Sequence, residues 1–317
     1  MKLKKGYNDR VFAVKAELAI MIFCDVLMLA FVLITFALFH HVLPRVLNTV
    51  PVTIPRKAVE YGENGMWGDK FADKFTDGEI ISDNMSYRSK DICVTIDRRT
   101  RNGASYYVAD IYIRNIDNFK TAFAGGKYGK SITEPILDTV SRVGAIVAVN
   151  GDYYGIRDSG VCIKNGILYR SSLFADVCVL YYDGTVKTYN RSEFSINQAI
   201  DDGAYQAWSF GPMLLKDGQP VSKFSWSIQS PNPRCAFGYY EPGHYCFVVI
   251  DGRQPGYSDG MSFQDMSQMF YEMGCAAAYN MDGGQSAHMT FDGKVVNRPA
   301  SGGRNINDII YIAEVNQ

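Results

Sequence analysis

Histidine is scarce, with four in 317 residues, and none of the seven cysteines stands in a C-x-x-C pair or a Cys/His spacing. A structural zinc site is thereby left out. Neither sign of charge prevails, with 32 basic against 33 acidic residues, so there is no basic footprint for nucleic acid and no acidic tail. No internal repeat and no low-complexity tract interrupts the chain. His40 and His41 adjoin an apolar run, His244 sits in the turn EPGHY, and only His288 stands near a glycine-rich cluster. A Ser/His/Asp triad built on Ser286 therefore has little support. What is present is a hydrophobic fraction of 47% with 21 tyrosines and 18 phenylalanines, enough to bury a full core in a strand-rich domain. Six cysteines, Cys93, Cys162, Cys178, Cys235, Cys246 and Cys275, follow the apolar run that holds Cys24, mostly within strand-like segments. Buried free thiols and at least one disulfide are both open readings.

From Leu18 to Phe39 the sequence reads LAIMIFCDVLMLAFVLITFALF, about 22 residues with the single charge of Asp25. At the helical rise this crosses a hydrocarbon core. Lys2, Lys4, Lys5, Arg10 and Lys15 precede it, while Arg45, Arg56 and Lys57 follow more sparsely, so the positive-inside bias predicts a cytoplasmic N-terminus and an exported remainder. A cleaved signal peptide competes, but HHVLPRVL lacks a small-x-small cleavage site. Asp25 is either close to the cytoplasmic boundary, tolerated by its apolar surroundings, or paired with a partner helix. The expected organisation is a basic cytoplasmic tail at 1–16, a transmembrane anchor at 17–41, a stalk or linker with a short docking segment at 42–86, and a folded domain at 87–317.

From Asp91 onward short apolar or alternating runs recur between turn signals: DICVTI, SYYVADIYI, GAIVAV, DVCVLYY, TVKTY, RCAFGYY, YCFVVI, AAAYN, HMTF, KVV and IIYIAEV. These read as strands. Asp183-Gly184 and Asp292-Gly293 predict two β-hairpins of type I′. Helices are expected over about Ser131–Val143, Ser195–Asp201 and Ser262–Met273, the last with Ser262 as N-cap and Gly274 as stop. The fold class is α+β, with a mostly antiparallel or mixed β-sheet core and a few helices after one N-terminal transmembrane helix.

Polar, glycine-rich clusters follow three of the apolar strands: Asn150, Gly151, Asp152 and Tyr153; Asp251, Gly252 and Arg253; Asn280, Asp282, Gly283, Gly284 and Ser286. A carboxylate after a buried strand is rigidly aimed, and adjacent glycines let a ligand approach the backbone and expose N–H groups that can form an anion nest. Arg234 and Arg304, each just before a strand, join Arg253 as guanidiniums that match phosphate oxygens bidentately.

On these residues the stretch from about Tyr87 to Val315 resembles the phosphodiester glycosidase family. The motifs are Asn150-Gly151-x-Tyr153-Tyr154, Asn165-Gly166, Phe210-Gly211-Pro212, Asn232-Pro233-Arg234, Asp251-Gly252-Arg253, Asn280-x-Asp282-Gly283-Gly284, and Arg304. The family usually continues with a third glycine and Ser-Ser/Thr, where this chain has Gln285 and then Ala287-His288; the larger side chain would narrow the pocket. The resemblance implies a membrane-anchored, extracytoplasmic hydrolase of a sugar 1-phosphodiester, of the N-acetylglucosamine type, in envelope glycan or exopolysaccharide metabolism. Asp282 is the first choice for base or nucleophile, with Asp251 or Asp152 as its partner. Asn150, Gly151, Tyr153, Arg234, Arg253, Asn280, Gly283, Gly284, Ser286 and Arg304 are the expected substrate contacts. The partner is a phosphorylated glycan or sugar 1-phosphodiester. No cofactor is required, although three carboxylates near phosphate could hold Mg or Ca. The rival reading is a catalytically inert glycan-binding or polysaccharide-assembly module of the same fold.

Overall fold

The computed structural model describes residues 2–39, 43, 45–46, 50–57, 62–225 and 227–315; His40, His41 and parts of the expected linker lie outside them. Two compact units divide the chain, Met1–Arg45 and Val46–Gln317. The first is a helix over Lys2–Ala37, of which Lys15–Ala37, with mean hydropathy 2.7, is long and apolar enough to cross a membrane. Its side chains from Leu18 to Phe36 are largely exposed.

The second unit is built from three sheets, and every register described between their strands is antiparallel. The largest has nine strands. At its centre Arg234–Glu241 and His244–Ile250 pair with each other; Ala277–Asn280 lies against the former, and Ala104–Ile113 against the latter. A five-stranded sheet places Val147–Asn150 between Met289–Phe291 and Asp308–Ile312. A six-stranded sheet has Ala204–Trp208 between Val177–Tyr181 and Cys162–Lys164. Alternate residues of all three sheets, among them Val94, Phe237, Phe247, Val149, Ile310, Leu180 and Trp208, meet in one core, as the period of two along a strand requires. The helix Phe263–Glu272 covers the other face of the nine-stranded sheet through Phe263, Met266 and Phe270. The fold class is therefore α+β, as the strand pattern implies. All six cysteines of this unit are buried free thiols.

Several local expectations change. The segment expected as a linker is part of the folded unit: Trp67, Phe71 and Phe75 are buried in the main core, and Ile81–Ser82 and Ser86–Arg88 extend the nine-stranded sheet. Its three aromatics stand four residues apart, yet they lie in turns on either side of the short 3-10 segment Ala72–Lys74 rather than on a regular helix. The helix expected from Ser131 starts at Ile136. Ser131 has a left-handed φ of 54°, and the residue before Pro135 is disfavoured in helical geometry. Helices Ile196–Asp201 and Phe263–Glu272 lie within their expected ranges, and the predicted cap of the second forms: Ser262 Oγ accepts from the Asp265 amide at 3.1 Å. At Asp292-Gly293 both residues have positive φ, 46° and 69°, as a type I′ turn requires. At Asp183-Gly184 only the glycine does, and the loop has three residues between Tyr181 and Thr185. Asn102-Gly103, Asn165-Gly166 and Asp217-Gly218 supply further two-residue turns with both φ positive.

Candidate active site

The nine- and five-stranded sheets are joined at the ends of two strands. The Asp282 amide donates to the Gly151 carbonyl at 3.1 Å, and Asn150 Nδ2 donates to the Asp282 carbonyl at 2.7 Å. The Gly151 amide in turn donates to the Asp308 carbonyl at 2.9 Å. A Cβ on Gly151 would lie 2.3 Å from the Asp308 carboxylate, and one on Gly283 would lie 2.6 Å from the Pro233 carbonyl. Both positions demand glycine because of close approach rather than turn geometry. The junction opens into a cleft of about 220 Å³ lined by Phe210, Ile228, Asn232, Pro233, Arg234, Arg253, Asn280, Asp282, Gly283, Gly284, Gln285 and Arg304.

Asp282 is the acid of this cleft. Burial pushes its carboxyl above the ordinary carboxylate range, and Arg304 opposes that rise. Arg304 Nη2 donates to Asp282 Oδ2 at 2.7 Å, its Nε donates to Ser286 Oγ at 2.6 Å, and its guanidinium lies 4.6 Å from the Tyr153 ring centroid. Ser286 and Tyr153 thus aim the arginine. Tyr153 and Arg253 both hold left-handed φ values, 54° and 58°, a local strain of the kind that collects at functional sites.

Two further guanidiniums face the cleft without an acidic partner among the described residues. Arg234 Nε donates to the Met261 carbonyl at 3.2 Å, its Nη2 donates to the Ile228 and Ser230 carbonyls, and it stacks 4.0 Å from the Phe263 centroid. Burial, and then the charge of Arg253, bring its pKa down to about 10. Arg253 Nε donates to Asn232 Oδ1 at 3.1 Å. Asn280 Nδ2 donates to the Gly211 carbonyl at 2.8 Å, clamping the Phe210-Gly211-Pro212 turn over the cleft. The lining therefore carries three guanidiniums against one carboxylate, a surplus of positive charge suited to an anion.

Other expected residues are placed differently. Asp251 is 1% exposed and absent from the cleft lining. Its carboxylate accepts from Asn297 Nδ2, the Arg298 amide and the Tyr257 hydroxyl, so it fastens a loop. Asp152 lies behind the cleft, accepting from the Ser209 amide at 3.2 Å, with Lys164 Nζ at 3.8 Å. Asp152, Asp251 and Asp282 do not converge as a three-carboxylate cation site, and among the described residues no cluster of three or more His, Cys, Asp or Glu is spaced to hold a metal. The expected anion nest is also altered, because the Gly151 and Gly284 amides donate to the Asp308 and Pro233 carbonyls. Gln285 lines the cleft, whereas His288 faces a separate cavity, its Nδ1 2.9 Å from the Ser286 carbonyl oxygen.

Sequence reasoning passes over three charged residues. Lys164 is buried with Asp308, their charged atoms 2.8 Å apart; burial disfavours its charge, but Asp152 and Asp308 outweigh that and raise its pKa. Arg157 lies over the rings of Phe174 and Phe210, 4.2 and 4.9 Å from their centroids. Burial lowers its pKa, and Asp152 and Asp282, within electrostatic reach, oppose the shift. A lysine inside the apolar segment VCIKNG was a usable signal for the first pair; a lone arginine in a loop offered none for Arg157.

Comparison with known proteins identifies the class to which this fold and cleft belong. Residues 143–313 match the phosphodiester glycosidase family, and the chain belongs to that family. It is 31% identical over 187 residues to the SPbeta prophage-derived uncharacterized protein YomE of Bacillus subtilis (strain 168), covering 55% of this chain and 29% of that protein; the chain thus spans under a third of that relative's length. The fold is similar to the catalytic domain of zebrafish N-acetylglucosamine-1-phosphodiester alpha-N-acetylglucosaminidase, auto-inhibited by its pro-peptide. The TM-score is 0.58 at 18% identity, over 76% of this chain and 86% of that one. A hypothetical protein from Synechocystis is similar with TM-score 0.50 and 13% identity, over 74% and 63% of the two chains.

Proposed function

We propose that the protein hydrolyses a sugar 1-phosphodiester on the extracytoplasmic side of a membrane, to which its N-terminal helix anchors it. The observation that carries this reading is the pairing of one buried, ion-paired carboxylate, Asp282, with the uncompensated guanidiniums of Arg234 and Arg253 in one cleft. In the reaction, water adds to the anomeric carbon and the bond from that carbon to the phosphate oxygen breaks. The phosphate leaves as a phosphomonoester, and the proton from water passes to Asp282. The transition state has oxocarbenium character, which a carboxylate stabilises. The leaving phosphate is already acidic, so neutralisation by Arg234, Arg253 and Arg304 matters more than a general acid. Asn280, Gly283 and Gly284 shape the floor against the substrate. The family membership and the basic flank of the apolar helix support the substrate class and the orientation.

The test is incubation of the full-length chain in detergent with N-acetylglucosamine 1-phosphodiesters, assaying free reducing sugar, with Asp282→Asn as control. Release by the wild type and not by the variant is expected. No release across a panel of diesters, with retained glycan binding, would favour an inert glycan-binding module, the reading that Gln285 in the cleft invites.

A further inference from the structure

A second depression of about 350 Å³ adjoins the cleft across the Phe210-Gly211-Pro212 turn; Phe210 lines the first, Pro212 and Phe174 the second. Arg157 spans the boundary, because its guanidinium rests on both Phe210 and Phe174. It makes one long hydrogen bond, from Nη1 to the Ser209 carbonyl at 3.4 Å, and no ion pair within salt-bridge distance among the described residues, so most of its five donors are uncommitted. Arg191 and Lys223 line the second depression, both exposed and neither ion-paired to a carboxylate among the described residues. One acid, Asp176, lines the depression; it accepts from the Met213 amide at 3.1 Å, and burial raises its pKa and so weakens its charge, while Glu193 is paired with Lys216 at 2.6 Å. Arg234 and Arg253 in the cleft, Arg157 at the divide, and Arg191 and Lys223 beyond it thus form a file of five cations. One phosphodiester carries one negative charge and needs only the first two. The cleft, at about 220 Å³, is also smaller than pockets that enclose a whole drug-sized ligand, so the remainder of the substrate lies outside it.

We propose that the cleft and the second depression form one groove for an anionic glycan in which phosphodiesters recur along the chain, one phosphate at the cleavage site and the next held by Arg191 and Lys223. The proposal rests on the hydrolytic reading above and names its substrate class as a poly(glycosyl phosphate) rather than an isolated diester. The test compares, for the full-length protein in detergent, kcat/KM on a synthetic trisaccharide joined by two 1-phosphodiester links with that on the single diester of the same sugars. Wild type is expected to favour the longer substrate at low salt, and the advantage to shrink as salt rises, because exposed charges are screened. In R191Q/K223Q the ratio of the two kcat/KM values should fall by roughly tenfold, the loss of about one charge-assisted hydrogen bond. An unchanged ratio, or no preference in the wild type, overturns the proposal. If no diester is cleaved at all, calorimetric binding of the same two glycans to Asp282→Asn, with and without R191Q/K223Q, decides it by the same ratio, while the failed turnover counts only against hydrolysis.

Discussion

Asp282 and Asp251 look alike in sequence, each following an apolar strand closely and each standing before glycine, yet they occupy opposite situations. Asp282 faces a cleft and keeps a raised pKa because burial outweighs Arg304 and the smaller help of Ser286 and the Gly283 amide. Asp251 spends its oxygens on an amide side chain, a backbone amide and a phenol, leaving no capacity for a substrate. The difference lies in the donors that surrounding loops bring to the carboxylate. A buried carboxylate saturated by protein donors is structural; one left partly unmet, beside uncompensated cations, is available for chemistry.

The sharpest test of that contrast is at Asp282. Asp282→Asn should lower kcat by about 10³-fold, the scale of a lost general base, with an unchanged thermal melt; more than a tenth of wild-type activity would remove Asp282 from that role. Asp251→Ala should do the reverse, lowering stability by about 3 kcal/mol in denaturant titration through its stranded donors, while turnover of the folded fraction stays near wild type. A collapse of kcat without loss of stability would return Asp251 to the active site. A smaller effect is expected from Arg304→Gln. Asp282 acts as base only when ionised, so activity falls as pH drops through its pKa. Removing the cation that favours ionisation raises that pKa further, and the acid limb of the kcat/KM profile should move to higher pH. An unmoved limb would separate Arg304 from Asp282 functionally. Smallest of all is the response to a chelator: since the three aspartates do not meet, turnover after EDTA dialysis should stay within about twofold of its starting value, and restoration by added Mg or Ca after a loss would place a cation at the site.

Much of this was legible in the residues. Apolar runs bounded by turn signals marked most central strands, since a strand buried on both faces needs no subtler code. Asn280, Asp282, Arg234, Arg253 and Arg304 were legible as candidates because each stands at a strand end or in a glycine-rich turn, and all five line the cleft. Short strands one place in from a sheet edge, such as Ile167–Arg170 and Met213–Lys216, were missed, their few residues giving no period. The roles of Asp152, Lys164, Asp308 and Asp251 depend on partners dozens or hundreds of positions away, as with Lys164 and Asp308, 144 residues apart. No local pattern encodes which carboxylate meets a cation and which meets amides.

The aromatic trio Trp67, Phe71 and Phe75 bears on how the domain is handled in the laboratory. A Cβ on Gly184 would lie 2.3 Å from the Trp67 ring, and one on Gly243 would lie 2.8 Å from it, so this side chain plugs a socket formed by two distant hairpin turns. An expression boundary near residue 87 would pull the plug and expose the socket to solvent, inviting aggregation. A soluble version should begin upstream of Val52, so that Val52–Thr53, the edge strand of the six-stranded sheet, and the plug travel with the folded unit.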